Sequence, residues 1–568
     1  MRRSSMGTTR WPGRLLPGVS MLRGYERSWL RGDVLAGLTV AAYLIPQVMA
    51  YAGLAGLPPV TGLWAILVPL ALYVLLGSSR SLSLGPESTT ALMTAAVVAP
   101  LAGGDPARYA VLAAALAVTV GVLCLVAFVA RLGFVADLLS KPILIGYLAG
   151  VAITMITGQL GKLTGIPVEG DTVLAELVSL ARGLTEMDAA TTVFAAVTLG
   201  LLFLGQWRYP RLPVPLLVVL LATVAVAVFD LEQRGIAVVG AVPGGLPTPA
   251  LPDFGDLREL LLPAVGVLVV GYTDTVLTAR AFAARGEPVD ANQELLALGA
   301  ANVGTGLLRG FPISSSGSRT ALAVAAGSRS QVYSLVALAG VVAVLLFAGP
   351  LLARFPTAAL GALVVYAATR LIDLAGFRRL LSFRRTEFFL ALAALAGVLI
   401  FDILYGVLLA VGLSVAEMLH RVARPHDAVQ GFVPGLAGMH DIDDYPQATT
   451  MPGLLVYRYD SPLFFANAEN FRRRVLAAVA EQVEPVAWFV LNVEANVEVD
   501  STGLGALDDL RAELTGRGVV FALARVKQDL RIALDAYGMT AAIGTERIFP
   551  TLPTAVAAYR EWRGAAPE

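Results

Sequence analysis

Apolar runs of membrane-spanning length recur through the first three quarters of the chain and then stop. Between Asp33 and His420 the pattern predicts about fourteen apolar segments, several shorter than the ~20 residues a straight span needs. They lie near 34–56, 60–77, 86–101, 109–131, 135–158, 190–205, 212–229, 259–283, 294–309, 316–327, 331–353, 357–371, 386–402 and 404–420. The first begins too late and runs too long for a cleaved signal, so it reads as a membrane helix. After Arg424-Pro425 charged residues become frequent and apolar runs shorten. Strands are predicted at 454–458, 487–493 and 519–524, with amphipathic helices at 468–480, 502–515, 528–537 and 553–562. Strand and helix in alternation predict a small α/β domain with a mainly parallel sheet. The expected division is a cytoplasmic lead over 1–32, a transmembrane domain over 33–422, a linker over 423–450 and the α/β domain over 451–568.

Composition agrees. Hydrophobic residues make up 57% of the 568 and charged residues 15%, against roughly a quarter charged in soluble chains. Mean hydropathy is +0.72. A formal net charge of zero gives no global attraction to nucleic acid. The single cysteine, Cys124, excludes an internal disulfide and sits in an apolar run as a packing residue. Arg2, Arg3, Arg10, Arg14, Arg23, Arg27 and Arg31 precede the first span and place that end in the cytoplasm. An even number of spans returns the chain there. Arg208 with Arg211, Arg280 with Arg285, and the cluster Arg370, Arg378, Arg379, Arg384 and Arg385 then fall inside. Glu169, Asp171, Asp230 and Asp256 fall outside; Arg108, Arg258 and Arg354 break the pattern. The expectation is a multi-pass protein of the inner (plasma) membrane with both termini and the α/β domain cytoplasmic.

Two segments are short and polar at their starts: LGPESTTALM at 84–93 and SGSRTALA at 316–323. Set side by side, Ser88 meets Ser318, Thr89 meets Arg319, and Thr90-Ala91-Leu92 meets Thr320-Ala321-Leu322. Paired interrupted segments in two halves mark transporters built from inverted repeats; chance is the competing reading, since Thr-Ala-Leu is common in such a chain. A helix that starts inside the membrane presents unpaired N–H groups and a positive dipole end. Two such starts facing each other bind an anion without needing a charged side chain. Ser88, Thr89 and Thr90, with Ser314, Ser315, Ser316 and Ser318, would add hydroxyl donors that replace a hydration shell, and Arg319 a full positive charge at the second start. Alternatively, the serines only pack helices, Arg319 pairs with a lipid phosphate or a nearby acid, and Glu87 only favours a helix dipole. Gln47 and Tyr51 read either as cavity lining or as helix-packing polar groups.

Asp274 interrupts a long apolar segment, where an ionisable group is costly and tends to face a cavity or a partner. Beside an anion site it must be neutralised, by a proton or by Na⁺ held with Thr278, Thr273 or Thr275. A structural Asp274 paired with Arg280 or Arg319 is the alternative. Bound Na⁺ is the one cofactor-like species these residues admit. Nothing resembling a P-loop, a metal cluster or a nucleophile–base pair is present, so an enzyme is not expected.

Together the motifs resemble the SulP (sulfate permease) family of anion transporters with a C-terminal STAS domain. They are PQVMAYA at 46–52 with LAGLPP at 54–59, GPE at 85–87 with TALM at 90–93, VDANQEL at 289–295, and SGSRTA at 316–321. The resemblance runs from about Arg31 to Gly564. It implies fourteen segments in two inverted sets of seven, forming a core and a gate, with the third and tenth as half-helices whose starts frame the substrate, here Glu87, Ser88, Thr89 and Thr90 on one side and Ser316, Gly317, Ser318, Arg319 and Thr320 on the other. The family's acid in the eighth segment matches Asp274; some members carry Glu there. Members form dimers, often through the STAS domain and the last segment. The STAS marker is VDSTGLGAL at 499–507, similar to bacterial anti-sigma-factor antagonists, where a hydroxyl residue at this joint is phosphorylated. Ser501 and Thr502 are therefore candidates for regulation by a partner protein, or else simply follow a helix cap at Asp500. The expected function is secondary active transport of a small inorganic anion, sulfate first, with H⁺ or Na⁺. A bicarbonate or dicarboxylate carrier and a channel-like conductor are the alternatives.

Overall fold

Backbone groups in hydrocarbon must be paired within the protein, which leaves helices as the way for these apolar segments to cross. The computed structural model describes residues 16–565 except 138–139, 169–171, 210–211, 242 and 284–288. Arg2, Arg3, Arg10, Arg14, Glu169, Asp171, Arg211 and Arg285, used above to orient the chain, lie outside the described residues. The chain divides into two compact units, one ending at Ser414 and one beginning at Val415.

The first unit is helical. Its principal elements are α1 (Leu30–Leu54), α2 (Val60–Leu76), β1 (Leu84–Gly85), α3 (Ser88–Ala102), α4 (Pro106–Val129), α5 (Lys141–Thr157), α6 (Ala189–Arg208), α7 (Val214–Val228), α8 (Leu257–Phe282), α9 (Ala291–Leu307), β2 (Ser314–Ser315), α10 (Gly317–Ala325), α11 (Val332–Phe347), α12 (Thr357–Thr369) and α13 (Arg385–Ala423), whose end lies beyond Ser414. Among the described residues six helices are long and apolar enough to cross a membrane, and α2, α3, α7 and α11 are shorter apolar helices. Leu217, Leu221, Val224 and Val228 form an exposed apolar stripe along α7, the face such a helix offers to lipid. The same displacement in sequence carries Leu84 onto Ser314 and Ser88 onto Ser318, so the two halves repeat the strand-then-short-helix unit.

As one straight helix, the 39 residues of α13 would run about 58 Å, nearly twice a bilayer core. Instead it folds back on itself. A Cβ on Gly406 would lie 2.7 Å from the Cα of Val398, and one on Gly397 would lie 2.7 Å from Leu409. These contacts cannot form along a straight helix, and they separate the predicted spans at 386–402 and 404–420. With that turn, the thirteen helices named above make fourteen segments among the described residues.

Close helix approach in a membrane depends on small residues, and α4 and α9 meet through a seam of them. A Cβ on Gly121 would sit 2.6 Å from Val303 N, one on Gly299 3.0 Å from Gly121 O, and one on Gly306 2.6 Å from Ala114 O. The polar run 289–295 becomes the start of α9, and its side chains fasten neighbouring helices. Asp290 caps the helix, accepting from Asn292 N at 2.9 Å and Gln293 N at 3.1 Å. Gln293 Nε2 donates to Leu76 O at 2.7 Å and Asn292 Nδ2 to Phe128 O at 3.1 Å. The fully buried Glu294 accepts from Ser78 Oγ at 2.6 Å, Ser78 N at 3.0 Å and Tyr73 OH at 3.0 Å.

The second unit has a six-stranded sheet in the order β4-β3-β5-β6-β7-β8. Its elements are β3 (Asp427–Phe432), β4 (Met439–Asp441), β5 (Leu454–Tyr459), α14 (Ala468–Ala480), β6 (Trp488–Asn492), α15 (Ser501–Gly516), β7 (Val520–Ala524), α16 (Gln528–Ala536), β8 (Ile548–Phe549) and α17 (Leu552–Ala565). From β5 to β8 the strands are parallel, while β3 runs antiparallel to both β4 and β5. Strand side chains alternate between faces. Leu455, Tyr457 and Phe489 pack with Phe471, Leu504 and Leu507, while Leu454, Val456 and Trp488 pack with Leu552, Val556 and Tyr559.

The predicted linker over 423–450 needs correction, because β3 and β4 lie inside it. The polar residues that gave it a linker's composition are paired across the sheet. Asn492 Nδ2 donates to the buried Gln430 Oε1 at 2.9 Å. Asp427 accepts from Arg474 Nε at 3.0 Å and from the Tyr457 hydroxyl, which burial and then that carboxylate hold well above its ordinary range.

Gly121→Leu should force the α4–α9 seam apart at a cost of about 1–3 kcal/mol. It should lower the thermal unfolding midpoint in detergent, whereas Gly200→Leu, with open space around it, should not. Equal midpoints would contradict this packing.

Candidate functional site

The site is built where the two broken segments cross. β1 and β2 pair antiparallel, Leu84 opposite Ser315 and Gly85 opposite Ser314, and Ser316 N donates to Ser83 O at 2.9 Å. This short ladder satisfies backbone groups that lipid would leave unpaired. Side chains satisfy more of them. Asn302 Oδ1 accepts from Ile313 N at 2.9 Å and its Nδ2 donates to Ile313 O at 3.2 Å. Gln331 Nε2 donates to Ser79 O at 3.0 Å and Leu82 O at 2.9 Å. The fully buried Asp33 accepts from Arg329 N at 2.7 Å and Ser330 N at 3.2 Å, holding the chain beyond α10.

Arg319, with 0% exposure, ties the crossing together. Its Nη1 donates to Pro86 O at 2.9 Å and Gln47 Oε1 at 3.2 Å, and its Nε donates to Ser83 Oγ at 3.2 Å. It thus reaches a carbonyl, an amide and a hydroxyl rather than the carboxylate of Asp274. Gly85 leaves room for it: φ is +152°, and a Cβ there would lie 1.9 Å from Ile66 Cδ1 and 3.2 Å from Arg319 Nη2. Thr320 Oγ1 accepts from Ser83 N at 3.0 Å and donates to Ser316 O at 2.8 Å.

In front of the crossing lies a cavity of about 650 Å³. Gln47, Tyr51, Glu87, Ser88, Thr89, Gly317, Ser318, Asp274 and Thr278 line it; Thr90, Ser316, Arg319 and Thr320 stand behind the wall. Glu87 caps α3, its Oε2 accepting from Ser88 Oγ at 2.6 Å and Thr89 N at 3.0 Å. Ser316 caps α10, accepting from Arg319 N at 3.5 Å. Gln47 Nε2 bridges Tyr51 OH at 3.1 Å and Ser318 Oγ at 3.4 Å. Ser315 Oγ donates to Asp274 Oδ2 at 2.8 Å. The Thr275 hydroxyl is spent on Gly271 O at 2.6 Å and Thr273 does not line the cavity, so Thr278 is the threonine of α8 that shares it with Asp274.

In the second unit, Asp500 Oδ1 accepts from Gly503 N at 2.7 Å and caps α15. Ser501 and Thr502 follow it, exposed in the first turn.

Residues 30–394 match the family model described as sulfate permease family, and 445–555 match that of the STAS domain. The chain belongs to the sulfate permease family. Members of this family are membrane transporters rather than enzymes, so the chain is a multi-pass membrane protein. A probable sulfate transporter of Mycobacterium tuberculosis is 62% identical over 96% of this chain and 98% of its own. The chloroplastic sulfate transporter 4.1 of Arabidopsis thaliana is 30% identical over 96% of this chain and 82% of its own. Among solved structures, the murine solute carrier 26 family member A9, an anion transporter, superposes with a TM-score of 0.90 at 24% identity, covering 99% of this chain and 96% of that one. The transmembrane domain of the cyanobacterium bicarbonate transporter BicA gives a TM-score of 0.59 at 23% identity, covering 69% of this chain and 98% of that one. The sulfate permease fold, a helical transmembrane domain followed by a STAS domain, is thus established.

The cavity also has walls that the sequence reading missed. Tyr43 lies on α1 one turn before Gln47, and Tyr366 and Arg370 approach from α12. The spacing of Tyr43, Gln47 and Tyr51 along one helix face was a readable signal. Arg370 gave none, since an arginine ending an apolar span looks like any topology charge.

Arg319→Ala would strand three buried acceptors at about 1–3 kcal/mol each. The variant should unfold at lower temperature and lose uptake, and Arg319→Lys should not restore either, because an ammonium cannot span the fork. A thermal midpoint equal to that of the unmutated protein would contradict the bracing role.

Proposed function

We propose that this sulfate permease family member is a secondary active transporter of sulfate, coupled to H⁺ or Na⁺ through Asp274. The observation that carries the reading is the pair of crossed half-helix starts at one polar cavity. Helix N-termini favour anions, and Ser88, Thr89 and Ser318 offer hydroxyls to replace water of hydration. Arg319 adds positive charge from behind the wall. The names of the relatives from Mycobacterium tuberculosis and Arabidopsis thaliana favour sulfate among small oxyanions.

Asp274 would repel a dianion while ionised. A proton on it, or Na⁺ held by Asp274 with Thr278 and Ser315, removes that repulsion and links cation entry to anion entry. On the topology expected from the arginines, the cavity extends toward the cytoplasm, where Gln206, Arg370 and Leu371 line it. In this reading the protein sits in the plasma membrane with its termini and STAS domain inside. It works as a homodimer, and a regulatory protein reads the STAS surface at Ser501 and Thr502.

Proteoliposomes given labelled sulfate, bicarbonate or fumarate, with pH and Na⁺ gradients imposed separately, test this. Sulfate uptake should exceed the other two and respond to one gradient; Asp274→Asn should remove that response. Preferred bicarbonate or fumarate uptake would replace the substrate. Sulfate flux indifferent to both gradients would favour a channel-like conductor, and an unchanged gradient response in Asp274→Asn would remove Asp274 from the coupling.

A further inference from the structure

We propose that Glu87 is a built-in competitor of the substrate: its carboxylate holds the donors at the start of α3 that a bound oxyanion must take over. The anion gains that half of the site only when Glu87 is neutralised or swings aside. The inference rests on the transport reading above and adds the residue that decides when the first half-helix is free.

The two half-helix starts differ in what caps them. At α10 the cap is the neutral hydroxyl of Ser316. At α3 it is a carboxylate, Glu87 Oε2, 3.0 Å from Thr89 N and 2.6 Å from Ser88 Oγ. A negative group on first-turn donors is what the helix dipole favours, and a bound oxyanion would use the same donors in the same way. Both cannot hold Thr89 N–H and Ser88 Oγ–H together.

Geometry leaves Glu87 free to move. It is only partly buried, and with Ser88 and Thr89 it lines the cavity, so its carboxylate can turn into that space without unpacking a helix. Arg319 attracts Glu87, but its Nη1 donates to the carbonyl of Pro86 next door rather than to the Glu87 carboxylate. The titratable and charged groups around it are Tyr43 and Tyr51 from α1, Asp274 from α8, Arg319 from α10, and Tyr366 and Arg370 from α12. Two carboxylates, Asp274 and Glu87, therefore share one cavity with the substrate. Neutralising Asp274 lifts repulsion but leaves the α3 donors held by a charge; neutralising Glu87 also weakens its hold on them.

The sign follows. Ionised Glu87 competes, so anion affinity is lower where it carries its charge than where that charge is removed. Glu87→Gln keeps an oxygen able to accept from Thr89 N but removes the charge. Glu87→Ser copies the neutral cap of α10. Glu87→Asp keeps the charge.

The test is equilibrium binding of labelled sulfate, bicarbonate and fumarate to the full-length protein in lipid nanodiscs, from acid to mildly alkaline pH. At the alkaline end Glu87→Gln and Glu87→Ser should bind the preferred anion about 2- to 30-fold more tightly than the unmutated protein, the range set by a charge at a helix end. All should converge at the acid end, and Glu87→Asp should keep the original pH dependence. In an Asp274→Asn background, adding Glu87→Gln should remove pH dependence that the single variant retains. If the unmutated protein binds an anion and both neutral variants show the same affinity and pH profile, or bind more weakly throughout, the competitor role is overturned while the transport reading stands. If the unmutated protein binds none of the three anions, the transport reading falls and this inference with it.

Discussion

The membrane unit depends on one constraint: two helices are broken in hydrocarbon, and every backbone group freed by the breaks must find a partner. The ladder between Leu84–Gly85 and Ser314–Ser315 settles some of them. Arg319 settles others, reaching from the second break to Pro86 and Ser83 at the first. A buried guanidinium costs several kcal/mol unless it is well bonded, which explains why Gly85, Gln47 and Ser83 are shaped around it. In this arrangement it holds the two breaks in register.

Once the breaks are braced, the rest of the site follows from geometry. Two helices start at the crossing and aim their positive ends at one space. The short side chains at those starts leave room for a cavity, and α8 passes close enough for Asp274 to meet Ser315. The wall across from the crossing comes from α5, α6 and α12, so the cavity is closed by helices that do not hold the breaks. Movement between those two groups would open and shut the space while the braced crossing stays whole. The asymmetry of the caps, an acid on α3 and a hydroxyl on α10, gives the two ends different electrostatics despite their common plan.

Much of this was legible in the residues. Apolar runs set the helices within a few residues, and the strand–helix alternation set the C-terminal domain, because both periodicities reflect burial directly. The two polar-start segments stand out as a pair in the residues alone, since serine, threonine and glycine inside an apolar span need a reason. What stayed hidden depends on partners distant in sequence. Gln430 and Asp427 look like linker residues until Asn492, Tyr457 and Arg474 stand beside them. Arg319 shows as a charge at a helix start, while the carbonyl and hydroxyl partners it braces come from the other half. The break between the spans at 386–402 and 404–420 was readable, whereas the contact of Gly406 with Val398 that closes the turn was not.

The central claim is that an oxyanion sits between the starts of α3 and α10. A structure of the full-length protein in a lipid bilayer, determined with selenate as an electron-dense sulfate analogue, tests it most directly. The account predicts selenate density within hydrogen-bonding reach, roughly 3 Å, of donors at both starts, among them Ser88 and Ser318. Saturating selenate bound elsewhere, with the space between those two starts empty, would contradict it.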